Sequence, residues 1–224
     1  MKSDAQLRRD VEDELAIEPS VNATAIGVAA QDGLVTLSGH VASYAEKLAA
    51  ERCAASVLGV SAIVSELDIK LPGSSRMTDE DIARAAMSAL AWNALIPQDR
   101  INIEVGSGWI TLKGDVDWHY QKTEAHDAVC HLRGVTGVTD KIALRPASVS
   151  NAVKAHIESA VARCFGKRLE HITIETRGDH VILRGTVASL SERAEVERAA
   201  WTTPGVCHVN NNLAIERKSK SVAR

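Results

Sequence analysis

The 224-residue sequence repeats itself: a shift of 75 residues lays the first third on the second, and a further 71 reaches the last, without a gap inside the aligned region. An internal period constrains the fold more than any single motif, because every copy must fold the same small way. Leu7, Ile82 and Val153 open the pattern, followed at four-residue intervals by Val11, Ala86 and Ile157, then Leu15, Leu90 and Val161. That interval lines one face of a helix. Thr78 with Asp81 three residues on has the form of a capping box, Asp standing in for Glu.

The period then changes to two. Ile26, Ile101 and Ile172 are followed by Val28, Ile103 and Ile174, the alternation of a strand with one buried face. Turn residues follow (Gln31-Asp32-Gly33, Gly106-Ser107-Gly108, Gly178-Asp179), then Val35 and Leu37, Ile110 and Leu112, Val181 and Leu183, so each pair of strands reads as a hairpin. Gly39, Gly114 and Gly185 are expected to close the second strand, where glycine permits a bend or a close backbone approach. A second helix presents Ala50, Ala125 and Val196 with Ala54, Val129 and Ala200 on one stripe. Gly59, Gly134 and Gly205 suit its C-cap. A third strand, through Leu67, Ile142 and Leu213, ends each copy.

The sequence therefore predicts an α+β chain of three tandem αββαβ modules, each a three-stranded mixed sheet with two helices packed on one face. The expected boundaries are residues 4–71, 77–146 and 149–217, with breaker-rich joints at Leu71-Pro72-Gly73-Ser74-Ser75 and Arg145-Pro146-Ala147-Ser148.

Charge is uneven along the repeats. Residues 1–74 carry a net −5, residues 75–147 a net −2 and residues 148–224 a net +4, within an overall −3. That balance gives no global case for nucleic acid. No stretch nears the roughly 18 consecutive apolar residues of a membrane span, and the N-terminus lacks the apolar run of a secretory signal. Cys53, Cys130, Cys164 and Cys207 lie far apart, a pattern of isolated thiols in a reducing compartment. A cytoplasmic location is expected.

The recurring segments Leu37-Ser38-Gly39-His40-Val41, Leu112-Lys113-Gly114-Asp115-Val116 and Leu183-Arg184-Gly185-Thr186-Val187 resemble those of the BON domain family. To these belong the helix rich in Ala, Glu and Arg, the Gly-Val that follows it, and the closing alternating strand. The resemblance runs from about Asp4 to Glu216. It implies a bacterial, non-enzymatic binding module, often for phospholipid or envelope surfaces and often linked to osmotic stress. Chaperone-like and potassium-binding members also occur in the family.

Chemistry points the same way. The sequence holds no phosphate-cradling Gly-x-x-x-x-Gly-Lys, no Gly-x-Ser-x-Gly and no His-Glu-x-x-His. His119, His126, Cys130 and His131 cluster in the second repeat. The equivalents of His126 are Glu51 and Glu197, and those of Cys130 are Ala55 and Trp201, so solvent exposure and packing account for them. No metal and no cofactor is expected. Trp92, Trp109, Trp118, Tyr120 and Trp201 are read first as caps on small cores and as seals between repeats. The candidate lipid- or partner-binding residues are Lys167, Arg168, Arg177 and Arg184, with Trp118 and Tyr120; Arg177 and Arg184 are expected on the outward face of the hairpin. The expected partner is an anionic phospholipid surface or a protein, with potassium and a chaperone-like scaffold role as alternatives.

Overall fold

The computed structural model describes residues 3–73, 77–97, 99–145, 172–202 and 206–215. The first repeat runs α1 (Asp4–Ile17), a 3-10 turn (Ala23–Ala25), β1 (Ile26–Gln31), β2 (Leu34–Val41), α2 (Tyr44–Ser56) and β3 (Ala62–Ile69). The second runs α3 (Asp79–Trp92), β4 (Ile101–Gly106), β5 (Trp109–Val116), α4 (His119–Cys130) and β6 (Gly137–Leu144). The third shows β7 (Ile172–Arg177), β8 (His180–Val187), α5 (Leu190–Trp201) and β9 (His208–Ile215). Its opening helix, expected through Val153, Ile157 and Val161, lies outside the described residues.

Each sheet is built alike. The middle strand pairs antiparallel with the hairpin strand before it and parallel with the strand after the second helix. A mixed sheet follows directly, because a tight turn reverses the chain while a helical crossover restores its direction. Alternation turns Val35, Leu37 and Val41 inward in the first repeat, and Ile110, Leu112 and Val116 in the second. Val181, Leu183 and Val187 do the same in the third. The helices cover that face with the stripes the sequence marks: Leu7, Val11, Leu15, Ala50 and Ala54 join one core, and Ile82, Ala86, Leu90, Ala125 and Val129 another. Ala at positions 50, 54, 125 and 200 lets helix and sheet approach closely, which is how cores with one Phe in the whole chain are filled.

Four of the five described helix starts are locked by short polar side chains, α4 with Trp118 at its N-cap being the exception. Ser3, Ser43, Thr78 and Ser189 each accept a hydrogen bond from the backbone N–H three residues on. The Thr78–Asp81 pair forms as expected, with the Thr78 hydroxyl also donating to the Asp81 carboxylate at 2.7 Å. The Thr78 hydroxyl, first among several donors, holds the Asp81 carboxyl below its ordinary range.

Two glycine expectations need correction. Gly39, Gly114 and Gly185 do not end their strands, which continue to Val41, Val116 and Val187. Each sits mid-strand with φ between 120° and 137°. At Gly39 and Gly114 a Cβ would run into the carbonyl of Ala25 or Arg100. Gly59 and Gly134 are not helix caps either. The C-caps are Val57 and His131, and the glycines, at φ 103° and 85°, turn the chain two to three residues later toward the last strand. Gly205 lies outside the described residues.

The repeats touch through their second helices. Tyr44, the first residue of α2, packs against the core of the second repeat. His119, the first residue of α4, stacks on Trp201 of the third at 4.1 Å and 12°. Leu190, the first residue of α5, packs against the core of the first, and α2 lies against α5. Among the described residues, one position of the repeat thus makes a contact at each of the three joints in cyclic order, each copy reaching into the next.

Candidate functional site

With helices on one side of each sheet, the other side is left open, and its residues follow from strand parity. In the first repeat that open face holds Leu34, Thr36, Ser38 and His40 on β2 beside Ala62, Val64, Glu66 and Asp68 on β3. In the second it holds Trp109, Thr111, Lys113 and Asp115 beside Gly137, Thr139 and Lys141. In the third it holds Arg177 on β7, His180, Ile182 and Arg184 on β8, and His208, Asn210 and Asn212 on β9. The three copies present one backbone surface with three chemistries: acidic, internally paired and basic.

The pairing in the second repeat is direct. Lys113 bridges to Glu104 across the hairpin, and Arg145 to Asp115. In the third repeat Arg184 faces Glu175 at a longer 3.8 Å, while Arg177 lies opposite His180 in the hairpin register. A shallow groove on this face is lined by Arg177, His180, Ile182, His208, Val209 and Asn210. Arg177 and Arg184 both project outward, on one sheet face. Lys167 and Arg168 lie outside the described residues.

Trp118 and Tyr120 stand elsewhere, flanking His119 at the start of α4, and both are exposed. They border the joint between the second and third repeats rather than the basic face. Other aromatics divide between the two roles expected of them. Trp201 seals a joint by its stack on His119. Trp109 crosses over Gly137 and donates its ring N–H to Thr139 at 2.8 Å. Trp92 does neither: it is 89% exposed at the end of α3, near a groove lined by Met87, Leu90, Ile96, Pro97 and Ile103.

The histidine and cysteine cluster also divides. His119 is at the far end of α4 from the others, and burial, with Lys122 nearby, holds its imidazole pKa below the ordinary value. His126, Asp127 and Cys130 do come together, His126 Nδ1 lying 3.3 Å from Asp127 and Cys130 Sγ 3.1 Å from His131. Cys130 is 2% exposed, and burial, reinforced by Asp127, pushes its thiol up to about 11. At neutral pH it is a protonated packing residue, with its S–H placed to donate to the Asp127 carbonyl at 3.4 Å.

Two recurring polar locks had no place in the sequence reading. Glu46 accepts from the N–H of Asn22 at 2.8 Å and of Ala42 at 2.7 Å. At the same repeat position Gln121 accepts from Asp117 and Trp118, and Glu192 from Ala188. One residue later, Lys47, Lys122 and Arg193 each donate to a backbone carbonyl of the last strand. The columns Glu/Gln/Glu and Lys/Lys/Arg, in register with the apolar ones, were the available signal.

Comparison with known proteins gives the same module. The BON domain profile matches residues 3–70, 78–146 and 149–217. The osmotically-inducible protein Y of Escherichia coli (strain K12) is 29% identical over 146 residues, covering 61% of this chain and 72% of that protein. Two solved structures of CdsD, a structural protein of the type III secretion system of Chlamydia trachomatis, align over 96% of this chain at 14% identity. Both superpose with a TM-score of 0.26. Among the described residues no helix is long and apolar enough to cross a membrane. Three copies of one non-enzymatic binding module account for the chain, which belongs to the BON domain family.

Proposed function

We propose that this protein binds anionic phospholipid or envelope surfaces through the open sheet face of its third repeat, in an osmotic-stress setting. The observation that carries the reading is the divergence of three equivalent faces. Where the first repeat places Glu66 and Asp68, the third places Asn212 and Ala214, and it adds Arg177 and Arg184 from the hairpin. A backbone shared by all three copies makes the charge difference a property of the third face and not of the fold. The similarity to an osmotically-inducible protein supports the stress setting. Trp118 and Tyr120, exposed at the neighbouring joint, supply rings suited to a headgroup layer.

Each basic side chain near an anionic membrane contributes about 1 kcal/mol. Full-length chain should therefore sediment with anionic liposomes and not zwitterionic ones, and added salt should release it. Reversing both charges (Arg177→Glu with Arg184→Glu) should weaken binding by more than about tenfold. Equal binding to both liposome types, or binding unmoved by the double variant, would refute the site. No binding at low salt would remove the lipid reading and turn the question to potassium or a protein client.

A further inference from the structure

At one corner of the open face the three repeats differ in a way that packing does not explain. Where the middle strand begins, the first repeat sets Leu34 beside Ala62, and the second sets Trp109 over Gly137. Each pairs an apolar side chain with a small residue. The third repeat has His180 beside His208 at the same two positions, their rings stacked at 4.3 Å and 18°. Both imidazoles are exposed, so they bury little apolar surface in exchange for the change. Asp179 stands where the other repeats have Gly33 and Gly108, and its Oδ1 lies 3.6 Å from His180 Nε2.

We propose that Asp179, His180 and His208 form a binding site for a first-row divalent metal ion of the zinc, nickel or copper class. One donor atom from each of the three lies within 4.8 Å of the others, a spread that modest side-chain rotation closes around an ion. Two imidazoles and a carboxylate are the donor set these ions accept. The backbone holds the set in place. The N–H groups of Cys207 and His208 both donate to the Asp179 carbonyl, at 3.0 and 3.2 Å, which ties the start of β9 to the turn that carries Asp179. Three protein donors leave further coordination positions open toward the groove lined by Ile182, Asn210 and Arg177. The Arg177 guanidinium opposes a bare cation and favours an anionic fourth ligand. This site is independent of lipid binding, since neither imidazole is needed for the charge of the face.

The test is calorimetric titration of the metal-stripped full-length chain with zinc chloride, without vesicles, at about pH 7.5, because protons compete with the metal for its ligands. The second cluster, His126, Asp127 and Cys130, makes Cys130→Ser the necessary control. His180→Ala and His208→Ala should each weaken one binding event by about tenfold or more, while Cys130→Ser leaves that event intact. In the unaltered chain, the imidazole NMR signals of His180 and His208 should shift with zinc, a readout that does not depend on any variant folding. Absence of zinc binding would overturn the assignment. So would loss of all binding in Cys130→Ser, or an unchanged isotherm in the His180→Ala/His208→Ala chain.

Discussion

Gly114 pairs with Ile101 in the ladder while holding φ at 137°, a combination only glycine adopts without strain. The cause is the carbonyl of Arg100, which occupies the space a Cβ would need. Gly39 meets the Ala25 carbonyl in the same way, so the family's Gly is a point where the loop before the hairpin crosses close to the middle strand. Gly114→Ala should cost about 3 kcal/mol, from backbone strain and steric conflict together. Thermal or urea unfolding of that variant measures it. A loss below about 0.5 kcal/mol would contradict the close approach. Gly106, with open space around its missing Cβ, is the contrasting site where alanine should be tolerated.

Between strand and helix, one side chain fastens the joint. Glu46 is 9% exposed and its two carboxylate oxygens take separate N–H donors, one from the loop before β1 and one from the turn after β2. A charged acceptor with two backbone donors is a strong arrangement, and truncation strands both donors in a partly buried place. Glu46→Ala should cost about 2–4 kcal/mol and Glu46→Gln less, because the amide oxygen can still accept one bond. The second repeat already carries the amide: Gln121 accepts from two N–H groups of the turn, Asp117 and Trp118, through its one oxygen, and the loop position equivalent to Asn22 is Pro97, which has no N–H to donate. Equal losses for the two variants, measured by chemical unfolding, would show that shape and not hydrogen bonding sets the position.

For the molecule as a whole, the three contacts made by Tyr44, His119 and Leu190 couple the repeats. The middle contact is the one sensitive to pH below neutrality, since burial shifts the Tyr44 phenol of the first upward. Burial lowers the folded-state pKa of His119, so the folded protein holds its imidazole neutral at a pH where the unfolded chain already binds a proton. The sign follows: the stability from this contact is full above the unfolded value near 6.5 and declines as pH falls from there toward the lower folded value. His119→Tyr places at this joint the residue the first repeat uses at its own, at Tyr44, and should retain a stacked ring without the titration. The expected result is a melting temperature that varies less between about pH 7 and pH 5 than that of the parent chain. An unchanged pH profile would show that His119 does not report on this contact.

The sequence by itself determined the module: the change of apolar period from four to two and back, repeated in register, leaves one way to bury Val, Leu and Ala with so few aromatics. It also placed Arg177 and Arg184 outward, because strand parity is a local rule. It allowed for a close backbone approach at Gly114 without naming the carbonyl met there, and it did not show how Glu46 and the residue that begins each second helix act. Each of them works through an atom far away in sequence: a carbonyl, a pair of amides, a neighbouring core. The pairing of His180 with His208 belongs to the same class. Twenty-eight residues separate them in sequence, and only the parallel register of β8 and β9 sets them side by side.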